Sequence, residues 1–176
     1  MAWIKTVCQA PQIICIFELM STTFSLEELS SISALKAKYP EPKAAIMPVL
    51  WMAQKKWGWL SEDVMKEVAS VMDLPYAHVL GVASFYTMYF KKPMGRHHVQ
   101  VCTNVSCMLR GGEALYNHAK QRLGIGHNQA TPDGKYSLEE VECMGACGGA
   151  PMIAINETFY ENCSQQQLDA VLDGCH

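Results

Sequence analysis

The sequence predicts an α+β protein: four short helices, then a mixed sheet with helices packed on it. Apolar residues recur at helical spacing in the first half, and beyond a polar stretch at residues 91–96 the pattern changes to strand-like alternation. Two cysteine pairs, Cys102/Cys107 and Cys143/Cys147, each stand where an alternating run ends in a loop. A chain of 176 residues has room for a substantial core and for one or two small domains.

Ser25 opens the first helix. With Glu28 three residues on, it fits a capping box, in which each side chain takes the other's free backbone N–H. Leu26, Leu29, Ile32 and Leu35 follow at helical spacing, and Pro40 and Pro42 end the run. Residues 44–57 read as a second helix, with Pro48 either kinking it or lying in its first turn. Gly58 breaks that helix. Ser61, followed by Glu62 and Asp63, starts a third, with Val64, Met65, Val68, Val71 and Met72 as its buried stripe. Pro75 stands as the first residue of a fourth, which carries Val79, Val82, Phe85 and Tyr86. The methionines and tryptophans of this half read as core filling, and residues 25–92 as one helical bundle domain.

Lys91, Lys92, Pro93, Gly95 and Arg96 make a polar hinge. His97, Val99 and Val101 then share one face of a strand that delivers Cys102 at its end. Residues 109–123 read as a helix, 136–142 as a strand delivering Cys143, 152–155 as a buried strand, and Phe159-Tyr160 as a further short one. Ser164, with Gln167 in the capping-box position, starts a last helix through Leu168, Val171 and Leu172. The second domain thus spans residues 97–176 in the order β-α-β-β-β-α. Residues 1–24 fall outside both domains and read as a disordered extension. Its apolar run (Ile13, Ile14, Ile16, Phe17) is interrupted by Glu18 and the stretch holds no Arg, against a secretory or mitochondrial signal.

Composition closes off several classes. A net charge of −3 argues against a nucleic-acid binder, and no apolar run approaches the length of a membrane span. Eight cysteines would suit a secreted disulfide scaffold. Four of them are clustered by spacing, however, whereas Cys8, Cys15, Cys163 and Cys175 show no pattern, and the helical core needs no staples. A reducing compartment with metal-bound thiolates is the better reading.

Two thiolate pairs on two loops are what a dinuclear iron–sulfur cluster needs, one pair for each iron. With four thiolates such a centre carries about two negative charges when oxidised and about three when reduced, so positive partial charge is required nearby. The loop from Cys102 to Cys107 runs into the next helix, whose free N–H groups can supply it. Gly111, Gly112, Gly145, Gly148 and Gly149 let backbone amides approach the sulfurs. A structural zinc site is the competing reading, since four cysteines at comparable spacings bind zinc. A redox dithiol is a third, although the usual C-x-x-C is absent. Spacing alone leaves all three open.

Other residues carry plainer readings. His97 and His98 are neighbours on a strand and point to opposite faces, so they read as surface or packing residues. Gly124-Ile125-Gly126 follows a helix and lacks the third glycine of a dinucleotide loop. Glu139, Glu140 and Glu142 read as solvated strand positions, with partner steering as the alternative. Tyr86, Met88, Tyr89 and Phe90 read as core, with an interface as the alternative. No Ser-His-Asp order, Walker motif or carboxylate pair marks a catalytic residue.

The runs Val101-Cys102-Thr103-Asn104-Val105-Ser106-Cys107-Met108-Leu109-Arg110-Gly111-Gly112 and Val141-Glu142-Cys143-Met144-Gly145-Ala146-Cys147-Gly148-Gly149-Ala150-Pro151 closely resemble the thioredoxin-like [2Fe–2S] subunit of respiratory complex I. This is the E subunit of bacterial NADH:quinone oxidoreductase, with relatives in NAD-linked hydrogenases and formate dehydrogenases. The resemblance continues through Trp57-Gly58-Trp59-Leu60-Ser61, Gly81-Val82-Ala83-Ser84-Phe85-Tyr86-Thr87-Met88 and Thr131-Pro132-Asp133-Gly134-Lys135, and spans roughly residues 25–173. It implies a helical N-terminal domain followed by a thioredoxin-like domain with one [2Fe–2S] cluster.

Cys102, Cys107, Cys143 and Cys147 match the family's four ligands. The implied partners are a larger flavoprotein subunit holding FMN, a [4Fe–4S] cluster and the NADH site, and a larger iron–sulfur subunit of the same module. The implied role is a one-electron carrier with no nicotinamide site of its own. The implied place is cytoplasmic, peripheral on the inner face of the membrane through the complex.

Overall fold

Each of the first four helices starts or stops where a local backbone need is met by a particular residue. The computed structural model describes residues 22–176; the predicted extension, with Cys8 and Cys15, lies almost wholly outside them. Helix α1 (Leu26–Lys36) carries the full capping box: Ser25 Oγ accepts from Glu28 N–H, and Glu28 Oε2 accepts from Ser25 N–H. Only Ile32 of its apolar residues is fully buried, and Leu26 faces solvent.

A 3-10 turn (Pro42–Ala45) leads into α2 (Ile46–Trp57). Pro48 lies in the first turn of α2, where its missing N–H would have had no helical partner, so no kink is needed. Gly58 ends α2 in the left-handed region at φ 80°. Ser61 caps α3 (Glu62–Met72), and Asp73 closes it, also left-handed. Pro75 precedes α4 (Tyr76–Phe85) as its cap residue, one position earlier than its expected place inside the helix. Ile32, Val49, Leu50, Leu60, Val64, Val68, Val79, Ala83 and Tyr89 meet in one core among these helices.

Beyond the hinge the sheet has five strands in the order β2-β3-β1-β4-β5. They are β1 (His97–Cys102), β2 (Gln129–Ala130), β3 (Tyr136–Val141), β4 (Ile153–Ile155) and β5 (Thr158–Tyr160). Strand β1 runs parallel to β3 and antiparallel to β4; the two outer pairs are antiparallel. The edge strand β2 was not expected: two residues carry no readable alternation, and only pairing with Ser137 and Leu138 defines it.

The expected helix at 109–123 is two helices. Gly111, at φ 94°, separates α5 (Val105–Leu109) from α6 (Gly112–Leu123). Ser164 and Gln167 form the second capping box, at the head of α7 (Gln165–Asp173). Helices α6 and α7 cover one sheet face, where Leu115, Ala119, Leu168 and Leu172 bury Val99, Val101, Leu138 and Ile153. The elements make a mixed α/β protein of thioredoxin-like fold.

The opposite face carries His98, Gln100 and Cys102 on β1 beside Ser137, Glu139 and Val141 on β3. Phe90, just before the hinge, lies against it, its ring 5.0 Å from that of His98 in an edge-on arrangement. The buried Gln54 of α2 holds the segment that leads into the hinge. Its Oε1 accepts from Phe90 N–H at 2.6 Å and its Nε2 donates to Met88 O at 2.9 Å. Gln54→Ala would take this partner from the Phe90 N–H and the Met88 carbonyl, so a loss of about 1–2 kcal/mol is expected. Urea unfolding of the full chain checks it, and an unchanged midpoint would show that the segment before the hinge does not depend on this side chain.

Candidate metal centre

The site is built where two parallel strands end together. In the β1–β3 register Cys102 stands opposite Val141, two residues before Cys143. The ladder continues one rung further, with Thr103 N–H donating to Val141 O at 3.2 Å. On the other side Cys102 N–H donates to Met152 O, also at 3.2 Å. Strand β1 is therefore fixed on both edges up to its cysteine, and Cys102 Sγ lies 3.7 Å from Glu142 O. Both cysteine loops leave the sheet side by side.

Asn104 then caps α5, its Oδ1 accepting from Val105 N–H at 2.7 Å. The short helix α5 places Cys107 beside Cys102 rather than beyond it, and both are buried. Burial pushes the Cys107 thiol up, and the neighbouring Cys102 and Cys147 act in the same direction. Such a thiol resists ionisation in water but is held as thiolate by a bound metal cation. Val141, Met144, Ala146, Ala150 and Met152 form an apolar collar around this pair.

Backbone reaches these cysteines through glycine. A Cβ on Gly112 would lie 2.7 Å from Cys102 O and 2.9 Å from the carbonyl carbon and oxygen of Cys107. Only a bare Cα lets α6 begin directly beneath both residues. Gly145 turns the second loop at φ 78° and donates its N–H to Cys143 Sγ at 3.3 Å. Cys147 opens a 3-10 turn (Cys147–Gly149). Unlike the first pair, Cys143 and Cys147 are exposed.

The four sequence-selected cysteines thus lie on adjacent loops as one buried and one exposed pair, and all are free thiols. Among the described residues no three His, Cys, Asp or Glu converge on one point, as a mononuclear ion would need. Two separate pairs with an amide on one sulfur and an apolar collar fit a dinuclear cluster, in which each metal takes one pair. Cys163 is buried in the core between the sheet and its helices, and Cys175, just past the end of α7, donates to Val171 O at 3.3 Å.

Two expectations need correction. The helix after the first pair does not merely follow the loop; Cys107 lies inside α5. Glu139 is not solvated. It is 9% exposed, and its Oε2 accepts from His98 Nε2 and Gln100 Nε2, both at 2.9 Å. Glu140 and Glu142 are exposed as expected. With Glu139 ionised and His98 neutral, Nδ1 of the ring accepts from Ser137 Oγ at 2.9 Å. One sign of this network stands in the sequence itself: His98, Gln100, Ser137 and Glu139 alternate within two strands. Of the residues expected as core ahead of the hinge, Tyr89 is buried and Phe90 half-buried, while Tyr86 and Met88 are exposed.

Known proteins are similar to this chain. The sequence model of the family described as thioredoxin-like [2Fe-2S] ferredoxin matches residues 32–176. The chain is 44% identical over 142 residues to the E 2 subunit of NADH-quinone oxidoreductase from Rhizobium meliloti (strain 1021), covering 81% of this chain and 84% of that one. It is 42% identical over 141 residues to NADH-quinone oxidoreductase subunit 2 of Thermus thermophilus, covering 78% of each. Among solved structures it is similar in fold to an NAD+-reducing [NiFe]-hydrogenase in the H2-reduced state, with TM-score 0.63 and 24% identity. That match covers 72% of this chain and 22% of the hydrogenase chain.

Two outcomes test the site's packing and electrostatics. Gly112→Ala forces a methyl against main chain and is expected to cost about 1–3 kcal/mol; a wild-type urea midpoint would refute the close approach. Burial alone would raise the Glu139 carboxyl, but hydrogen bonds from His98 and Gln100 outweigh it and hold the group below its ordinary value. Its contribution to stability is therefore complete above the ordinary Glu range and lost as pH falls through the lowered value. Glu139→Gln should flatten the acid limb of the stability–pH curve, and an unaltered limb would show that another carboxylate sets it.

Proposed function

The chain belongs to the thioredoxin-like [2Fe-2S] ferredoxin family, and we propose that it is the one-electron carrier subunit of an NADH-oxidising module. The observation carrying this reading is the placement of two cysteine pairs on the loops that leave the same end of two register-matched parallel strands. Cys102 and Cys107 are assigned to one iron, Cys143 and Cys147 to the other. When bound, the cluster supplies a site that takes up and gives back a single electron.

The chain's own residues make that possible in three ways. The buried thiols of Cys102 and Cys107 ionise as metal binds, so assembly releases protons and is coupled to folding. The Gly145 N–H at Cys143 Sγ offers positive partial charge to the sulfur, an interaction that strengthens as negative charge grows. The apolar collar keeps water from the inner pair, whereas the exposed Cys143 and Cys147 present the edge through which an electron passes.

Relatives named as E subunits of NADH-quinone oxidoreductase support placing the chain in such a complex. Its partners there are a flavoprotein subunit with FMN, a [4Fe–4S] cluster and the NADH site, and a larger iron–sulfur subunit. A flavin held by that partner would supply electrons one at a time, and the four cysteines of this chain would hold the centre that takes up one of them. The helical residues 25–92 form a separate domain from the cluster-bearing residues 97–176. Among the described residues no single helix is long and apolar enough to cross a membrane, and the chain is placed at the inner face through its partners. The quinone-linked relatives put this ahead of a hydrogenase or formate dehydrogenase subunit.

Anaerobically isolated chain should contain about two iron and about two acid-labile sulfide per polypeptide, absorb in the visible, and give an EPR signal on reduction. Colourless protein with zinc and no iron would overturn the reading. Cys143→Ala or Cys147→Ala should abolish the cluster, whereas Cys163→Ala and Cys175→Ala should retain it. The opposite pattern would refute the ligand assignment.

A further inference from the structure

One side-chain bond outside the cysteine set ties the start of the Cys102/Cys107 loop to β3, the strand that leads into the Cys143/Cys147 loop. Thr103 follows Cys102 directly, and its Oγ1 donates to Glu140 Oε1 at 2.9 Å. Its N–H meanwhile goes to Val141 O at 3.2 Å, so one residue is bonded to two successive residues of the neighbouring strand. Glu140 is anchored from behind. Its own N–H donates to His127 Nδ1 at 3.1 Å. Its carboxylate also lies near Tyr116 of α6, whose phenol is pushed up first by burial and then by that charge. Strand β3 carries Glu140, the turn after α6 holds its main chain, and α6 brings Tyr116 near its carboxylate.

The position of this bond matters more than its strength. Paired residues of β1 and β3 end at Cys102 and Val141, and one backbone bond, from Thr103 N–H to Val141 O, follows before the ladder stops. Ladder ends open readily, because the last rungs have fewest neighbours to hold them. A centre spanning both loops depends on their separation, so motion at this end changes the geometry of all four sulfurs together.

We propose that Thr103 and Glu140 are positioning residues whose hydrogen bond fixes the spacing between the Cys102/Cys107 loop and the Cys143/Cys147 loop. The proposal rests on the four-cysteine assignment given above. It predicts a separation of effects: removing the bond leaves every ligand in place but loosens the frame that aims them.

The test uses the full chain isolated anaerobically with its iron and sulfide. Thr103→Val keeps the shape and removes the donor, and Glu140→Ala removes the acceptor from an exposed position. Thr103→Ser and Glu140→Gln keep a donor and an acceptor respectively. Bleaching by an iron chelator should be about tenfold faster in Thr103→Val and Glu140→Ala, the factor corresponding to one hydrogen bond. Their reduced-state EPR signals should also shift or broaden, while the two conservative variants bleach at the wild-type rate. Glu140→Ala carries the same expectation should Thr103→Val fail to fold. Wild-type bleaching and unchanged EPR in Thr103→Val and Glu140→Ala would overturn the proposal and leave the cluster assignment standing. So would equally fast bleaching in the conservative pair. Wild-type chain without iron and sulfide would overturn the assignment and this proposal with it.

Discussion

The parallel pairing of β1 with β3 is the constraint on which the site depends. Parallel strands linked by a crossover release their following loops at the same sheet edge. Here those loops hold the two cysteine pairs, and the crossover is α5 with α6. An antiparallel arrangement of the same strands would send the loops to opposite edges. Pairing of β4 on the other side of β1 matters too, because it places Met152 O to accept from Cys102 N–H and closes the collar. The cysteine spacing places two thiols on each loop; only the sheet sets the two loops side by side.

Close approach and charge then work at short range. The start of α6 lies under Cys102 and Cys107 because Gly112 has no side chain, and Gly145 turns its amide onto Cys143. The two pairs differ in environment. The inner one sits in apolar packing, where burial disfavours a free Cys107 thiolate, and the outer one meets solvent. The proposed anionic centre, set between them, would be shielded on one side and accessible on the other, an arrangement suited to exchange of an electron with a docked partner.

Much of this was readable from residues. The Ser25–Glu28 and Ser164–Gln167 capping boxes, the Gly58 stop and the delivery of Cys102 by an alternating strand are local signals, and each is realised. The separation of α5 from α6 was missed because Leu109 and Arg110 continue a helical pattern into Gly111-Gly112; a left-handed Gly111 breaks it. Strand β2 is too short to carry a period. The burial of Glu139 was missed because three glutamates within four residues look solvated, whereas the partner that accommodates one of them, His98, lies on another strand. The unequal burial of the cysteine pairs has no local signature either, since it arises from which loop the collar residues close over.

The polar network on the open sheet face bears on the same register. His98 stands directly opposite Ser137, and Gln100 directly opposite Glu139, in the β1–β3 pairing. The side chains of both opposed pairs are hydrogen-bonded, and His98 also reaches Glu139. Apolar side chains on the α6/α7 face would tolerate a slip of two residues, because valine and leucine pack against one another in either alignment. A slip of one would drive the Glu139 carboxylate into that apolar core. A slip of two would keep it on its own face but part it from Gln100 and part His98 from Ser137, leaving buried groups without partners. Buried polar pairs thus select one alignment from several that hydrophobic packing would accept. That alignment sets Cys102 opposite Val141, so residues some distance from the sulfurs decide whether the two loops meet.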